Sequence, residues 1–256
     1  MKELIGHFSL AISFFSRIPL PHALVNQIDR NATLANAVTF FPVAGLVISL
    51  VPALVWYVSG LFLPSLVAAG LGVISLLLIT GALHEDGLAD CADGLGATHD
   101  RRKALEIMRD SRIGTYGTIA LITSVGLRWA LLASFAPLAG VLAILTSQSV
   151  SRATITIAMQ FASYARPEGL GKSVDDGMPD RGFVFTTAIA LLLAFVLCGF
   201  TGLIAVVIAY LAALGVLAWL KSRLGGYTGD GLGAMQQVAE ITILLVLAAN
   251  TGMAFS

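Results

Sequence analysis

The densest chemistry in the chain lies in one run, Gly81-Ala82-Leu83-His84-Glu85-Asp86-Gly87-Leu88-Ala89-Asp90-Cys91-Ala92-Asp93-Gly94. Read as a helix continuing the apolar stretch before it, this run sets Asp86, Asp90 and Asp93 at i, i+4 and i+7. At about 100° per residue, the three fall within an arc of roughly 60° on one helix face. Carboxylates so close repel one another, raise one another's pKa values and weaken the helix. A hard divalent cation removes that penalty, and Mg²⁺ is typically held by one or two carboxylates together with substrate phosphate oxygens. Glu85 adjoins the arc, so Glu85, Asp86, Asp90 and Asp93 make up the expected metal-ligand set, with Asp86, Asp90 and Asp93 also candidates for catalysis. The plain alternative is a solvated acidic helix end. His84 projects away from the arc and is as much a packing residue as a ligand or base.

A basic segment follows directly, from Arg101 to Arg112, ending Met108-Arg109-Asp110-Ser111-Arg112-Ile113-Gly114-Thr115-Tyr116-Gly117. Arginine offers a planar fork that grips phosphate at two points, and Ser111 adds a neutral donor. Arg109, Ser111 and Arg112 are therefore the expected phosphate clamp, against the plainer reading of charges that only orient the chain. Acid cluster plus arginine cluster in one loop suits a metal-bound diphosphate. Gly225-Gly226-Tyr227-Thr228-Gly229-Asp230-Gly231-Leu232-Gly233 lets backbone approach a phosphate and offers Asp230 as a catalytic carboxylate. Arg128 and Arg152 fall within apolar stretches, where a charge must face the bundle interior or a wet cavity. Arg152 joins the phosphate-binding candidates on that ground, with structural pairing as its alternative. Gly169-Leu170-Gly171-Lys172-Ser173 resembles the tail of a phosphate-binding loop, but Arg166 stands where the pattern needs glycine and no strand precedes it. Cys91 and Cys198 are two separate, small apolar side chains.

These groups must be positioned by membrane helices. The 256 residues are 57% hydrophobic and 12% charged, with mean hydropathy +0.88, whereas an ordinary soluble domain carries about 25% charge. With zero formal net charge, nothing implies a nucleic-acid partner. Seven stretches have the length of a span: roughly 36–58, 61–83, 117–136, 138–160, 183–201, 203–220 and 238–255. The stretch from Leu4 to Phe15 is too short, and residues 1–35 read as a cytoplasmic interfacial segment. Of the fifteen Lys and Arg residues, thirteen lie before the first span or in the connections 84–116, 161–182 and 221–237, and the opposite connections hold none. The positive-inside rule then sets the N-terminus and every long loop in the cytoplasm. Fourteen of the fifteen acids lie in or beside the same segments, Glu240 being the exception. The expectation is an all-α, polytopic helix bundle forming one domain, with its active face at the cytoplasmic side of the membrane.

The acidic run and the segment Arg109–Gly117 resemble the cobalamin synthase family, the adenosylcobinamide-GDP ribazoletransferases. Supporting stretches are Phe14-Phe15-Ser16-Arg17-Ile18-Pro19-Leu20-Pro21, Phe41-Pro42-Val43-Ala44-Gly45 and Tyr227-Thr228-Gly229-Asp230, so the likeness runs nearly the whole length. At the position of Glu85 other members can carry a hydrophobic residue. The resemblance implies the last assembly step of vitamin B12. A hydroxyl of α-ribazole, or of its 5′-phosphate, attacks the phosphorus attached to the corrinoid of adenosylcobinamide-GDP, and GMP leaves. It also implies Mg²⁺ as cofactor, and a homodimer stays open. The run Asp90-Cys91-Ala92-Asp93-Gly94 is also similar to the CDP-alcohol phosphotransferases, but Ala97-Thr98 stands where an alanine-arginine pair is expected. A prenyltransferase would likewise bind a magnesium diphosphate. A cation transporter is a further alternative, disfavoured because the acids cluster at a loop and no inverted repeat is evident.

Overall fold

The computed structural model describes residues 2–29, 32–166, 178–179 and 181–253, the last three in backbone only. Arg30, Lys172, the 169–173 stretch and the last residues of the expected span 238–255 lie outside the described residues. Within them the chain is helical, and one isolated parallel bridge joins Tyr164 to Tyr227. The helices are α1 (Lys2–Phe15), α2 (His22–Val25), α3 (Leu34–Ala37), α4 (Phe41–Gly60), α5 (Ser65–Thr80) and α6 (Leu83–Ala97). They continue with α7 (Arg101–Ile107), α8 (Thr115–Ala133), α9 (Pro137–Phe161), α10 (Gly182–Leu224) and α11 (Gly229–Met253).

Side chains are distributed as in a bundle bathed in hydrocarbon. Along α4, Phe41, Ala44, Ile48 and Trp56 are buried, whereas Leu50, Val51, Leu54 and Val58 face outward. The outer surface thus carries large apolar groups that water would penalise and lipid does not. Five helices have the length and hydropathy of a span: Leu34–Gly60, Thr115–Ala133, Pro137–Phe161, Gly182–Leu224 and Gly229–Asn250. The pair α5 and α6 meets the same test only jointly and is bent by 88°. The 43-residue α10 is not one rod. Gly199 breaks it at φ 58°, ψ −143°, and Tyr210 Oη donates to Thr187 Oγ1 at 3.1 Å across the break. Residues 23 apart in a straight helix would be about 35 Å apart, so α10 is a hairpin of two helices.

The centre of the bundle is α9. From Thr146 to Ala158 it is buried throughout, and eight of those side chains are polar or charged, Arg152 among them. Small residues allow its neighbours close. A Cβ at Gly45 of α4 would strike the Gln148 backbone of α9, and one at Gly140 would meet the Trp56 ring. Trp56 Nε1 donates to the Pro137 carbonyl at 3.0 Å. Such packing of small residues is how helices associate where lipid supplies no hydrophobic drive.

One local expectation is overturned. The acidic run does not continue the second span: α5 ends at Thr80, and Gly81 and Ala82 are both left-handed, at φ 66° and 56°. Two such residues in succession cannot propagate a right-handed helix. The chain turns, and α6 leaves with the acids on a separate axis.

Candidate active site

The turn at Gly81 is occupied from outside by Arg17, whose side chain fills the space a Cβ at Gly81 would need. The Arg17 amide also donates to the Ile79 carbonyl at 2.7 Å, so the segment after α1 is fastened to the end of α5. On its other side α6 lies against the start of α11. Gly87 touches the Asp230 backbone and Gly233 touches the His84 backbone, leaving little or no room for a side chain between them. At its far end, Asp93 accepts from the Gly114 amide at 2.7 Å and the Gly117 amide at 2.8 Å. These are donors at the first turn of α8, which have no partner within their own helix. The carboxylate therefore caps α8 and anchors the arginine segment to the acidic helix. Gly114 and Gly117 are required there, because a Cβ on either would overlap Asp93.

Between α1, α5, α6 and the segment from Met108 to Ile113 lies a cavity of about 900 Å³. Asp86 stands exposed in its wall and Asp90 is half-buried beside it. Burial is the first cause that raises the Asp90 carboxyl to about 7; Asp230 and Asp86 add like charge, and Arg166 offsets part of it. Arg17, Arg109 and Ser111 face the same space. Arg112 lines it too, but its guanidinium is engaged by Asp110 through bonds of 3.1, 3.1 and 2.6 Å. That exposed pair holds Asp110 at about 2, chiefly through the side-chain hydrogen bond from Arg112.

A smaller pocket of about 190 Å³ adjoins the first, between α1, α6, α9 and the start of α11. Asp230 lines it, held by Arg166 at 2.7 Å. Arg166 is itself fixed in place by its chain neighbours: the Ala165 amide donates to the Tyr227 carbonyl at 2.8 Å, and Arg101 donates to the Ala165 carbonyl at 2.9 Å.

The expected set of four metal-binding carboxylates is not brought together. Glu85 points inward, 4% exposed, and pairs with Arg128 at 2.8 Å. Arg128 also reaches Glu240 at 3.4 Å, and Gln236, Gln237, Ser124 and Ser151 extend the network by hydrogen bonds. Glu85 lies about 100° from Asp86 around the helix, so although it also edges the large cavity, its carboxylate is engaged by Arg128 on the interior side. Asp93 is spent on the α8 cap. Among the described residues no group of three or more His, Cys, Asp or Glu is poised around a metal position. Asp86 and Asp90 still fit a divalent cation as a two-carboxylate site, because Mg²⁺ draws its remaining ligands from substrate oxygens and water. Arg152 is likewise corrected from phosphate binder to interior strut. It is fully buried, donates to the Gln148 carbonyl at 3.0 Å and to Gln148 Oε1 at 2.6 Å, and stacks over Phe15 at 5.3 Å.

Three contributors escaped sequence reasoning. Arg17 lies more than sixty residues before the acids, Arg166 just inside another loop, and Glu240 within an apolar stretch. The one usable signal was Glu240, since an acid inside a span needs a cation and Arg128 and Arg152 are the spans' only ones.

The family model described as cobalamin-5-phosphate synthase matches residues 7–248. An adenosylcobinamide-GDP ribazoletransferase of Bradyrhizobium diazoefficiens is 43% identical over 253 residues, 97% of this chain and 95% of the relative. One from Rhizobium etli is 43% identical, covering 97% of this chain and 98% of its own. One from Shewanella frigidimarina is 36% identical over 94% of both. No solved structure matches. With a match that takes in both cavities and every helix that lines them, the chain belongs to the cobalamin-5-phosphate synthase family.

Proposed function

We propose that the protein is an adenosylcobinamide-GDP ribazoletransferase, joining α-ribazole or its 5′-phosphate to adenosylcobinamide-GDP with release of GMP. The single observation that carries this reading is the near-full-length likeness to relatives of that name, and the large cavity supplies the matching chemistry. In the reaction a ribazole oxygen bonds to the phosphorus attached to the corrinoid, the bridging P–O bond breaks toward GMP, and the hydroxyl proton must be taken up. Arg109 and Arg17 grip the diphosphate of the donor, since both are exposed to the cavity and neither makes an ion pair among the described residues. Asp86 and Asp90 would hold Mg²⁺, whose charge, when it is bound, offsets that on the diphosphate and on the departing GMP. Asp230 receives the hydroxyl proton, and Arg166 orients it. Catalysis of this kind is mostly positioning and charge neutralisation.

The membrane setting is part of the proposal. The two arms of α10, α5 and the remaining long helices would make seven crossings, with the N-terminus and both cavities at the cytoplasmic face of the bacterial inner membrane. The arginine and lysine distribution supports that orientation. A cysteine introduced by Asp100→Cys should be labelled by an impermeant reagent only from the cytoplasmic side; labelling from outside would reverse it. For the reaction, purified protein is mixed with adenosylcobinamide-GDP, α-ribazole and Mg²⁺, and GMP is measured. Stoichiometric GMP with a new corrinoid product supports the reading, and its absence with intact, folded protein removes it.

A further inference from the structure

The two cavities share a sill. Phe14, Leu83 and Asp86 line both, so the two compartments adjoin at a carboxylate. Their linings differ in kind. The large one, about 900 Å³, carries Arg17, Arg109 and Ser111 around the two aspartates. The small one, about 190 Å³, is walled by Phe14, Phe15, Leu83, Ile155 and Leu232, with Asp86 and Asp230 its carboxylates among the described residues. His84 adds a flat surface there, stacked on Phe15 with centroids 5.7 Å apart and planes at 26°. Among the described residues, none of the three arginines that line the large cavity lines the small one.

A transfer between two substrates needs both at once, one on each side of the reacting phosphorus. Size sorts them. A corrinoid macrocycle with its diphosphate cannot enter the smaller pocket, whereas an apolar cavity of about 150 Å³ suffices for a benzene ring. Polarity sorts them again. A lipid chain in the small pocket would strip water from Asp86 and Asp230 without replacing it, which is costly. A nucleoside matches both ends, with an aromatic base for the apolar walls and ribose hydroxyls for the carboxylates.

We infer that the smaller pocket is the acceptor subsite, taking the flat aromatic base of the ribonucleoside and turning its ribose hydroxyls toward Asp86 and Asp230. This rests on the transferase reading above, and it adds where each substrate lies and which residues choose the base. Ile155 and Leu232 set the pocket's depth from α9 and α11, so they govern which base is accepted.

The test changes pocket volume in both directions. Leu232→Phe, which fills the pocket, should raise the KM for α-ribazole by about 10-fold or more, with the KM for adenosylcobinamide-GDP unchanged within about 2-fold. Ile155→Ala, which deepens it, should shift preference toward a nucleoside with a bulkier fused base by about 10-fold relative to the parent protein. In the unmutated protein, ribazole carrying a photoreactive azide on its base should label the segments around Phe15 and Leu232, a readout independent of whether either variant folds. Labelling confined to the segment Met108–Ile113 overturns the inference. So do variants that change the donor KM and leave base choice untouched. If the unmutated protein releases no GMP from adenosylcobinamide-GDP with any acceptor, it is the transferase reading that fails. GMP release with unaltered base preference in both variants fails the subsite alone.

Discussion

Glu85 and Asp86 are neighbours in sequence and opposites in circumstance. Glu85 lies in a buried network where Arg128 pairs with both it and Glu240, and Gln237 and Gln236 donate to the two carboxylates. Asp86 stands in the wall of an open cavity with Asp90 beside it, and Arg109 and Arg17 in the same space make no ion pair among the described residues. One region pairs its charges within the helix bundle, Arg128 in ion pairs with both carboxylates and Arg152 packed nearby, and holds the helices together. The other leaves its carboxylates and arginines out of ion pairs with one another among the described residues, the arrangement that the proposed metal and diphosphate would use. Both lie on the same helix, which is how a rigid interior fixes a reactive face.

The largest effect should come from breaking the interior region. Arg128→Met leaves two buried carboxylates without their cation, a change that typically costs about 3–5 kcal/mol. Thermal unfolding in detergent should show a large loss of stability, and melting unchanged from the parent would mean the network is incidental. Replacing Glu85 as well, by Glu85→Gln, should recover part of the loss, because one uncompensated charge is then removed.

The cavity carboxylates should respond the other way, losing activity without stability. Asp86→Asn and Asp90→Asn should each lower GMP release by at least about 100-fold, as expected for removal of a metal-holding group. In EDTA, Asp90→Asn should melt higher than the parent at pH 8. The sign follows from the raised carboxyl, at about 7 against an ordinary 3.8. The folded state binds the proton more tightly than the unfolded chain, so stability is greatest at low pH and is lost as pH rises through about 7. The advantage of asparagine should therefore shrink as pH falls below 7. Equal melting at pH 8 would show that Asp90 is not strained.

With Asp90 as a proposed Mg²⁺ ligand, the same raised carboxyl would make the metal compete with a proton. Apparent Mg²⁺ affinity should fall by about tenfold per pH unit below 7, measured as the Mg²⁺ concentration for half-maximal GMP release. A flat profile between pH 5.5 and 7 would take Asp90 out of the metal site.

The smallest effects separate two arginines that look alike in sequence. Arg109→Lys should raise the KM for adenosylcobinamide-GDP by about 10-fold, because a lost two-point contact to phosphate is worth roughly 1.4 kcal/mol or more. Arg112→Lys should stay within about 2-fold, since its guanidinium is already paired with Asp110 at the surface and such pairs contribute little. Comparable losses in both variants would mean that Arg112 leaves Asp110 when the donor binds.

Much was settled by the residues in order. Hydropathy and loop charge are sums over short windows, so the all-helical membrane class could be read without knowing what touches what. The acidic run, the arginine segment and the family they resemble were likewise local patterns, each contiguous along the chain. What the chain could not reveal locally was how chemically equal residues divide their tasks. Asp86, Asp90 and Asp93 share one face, yet Asp93 is consumed by the first turn of α8 because Gly114 and Gly117 bring its amides there. Arg152 and Arg109 are both arginines beside an apolar stretch, yet one is sealed against Gln148 and Phe15 and the other faces the cavity. Arg17 reaches the turn at Gly81 and Arg166 reaches Asp230 across sixty-four residues each, contacts that no window spans. These assignments follow from the direction in which α6 leaves α5, and that direction was decided by two left-handed residues, Gly81 and Ala82, turning the chain through 88°. A few backbone angles, invisible to hydropathy, selected which side of the acidic helix faces the interior and which the cavity.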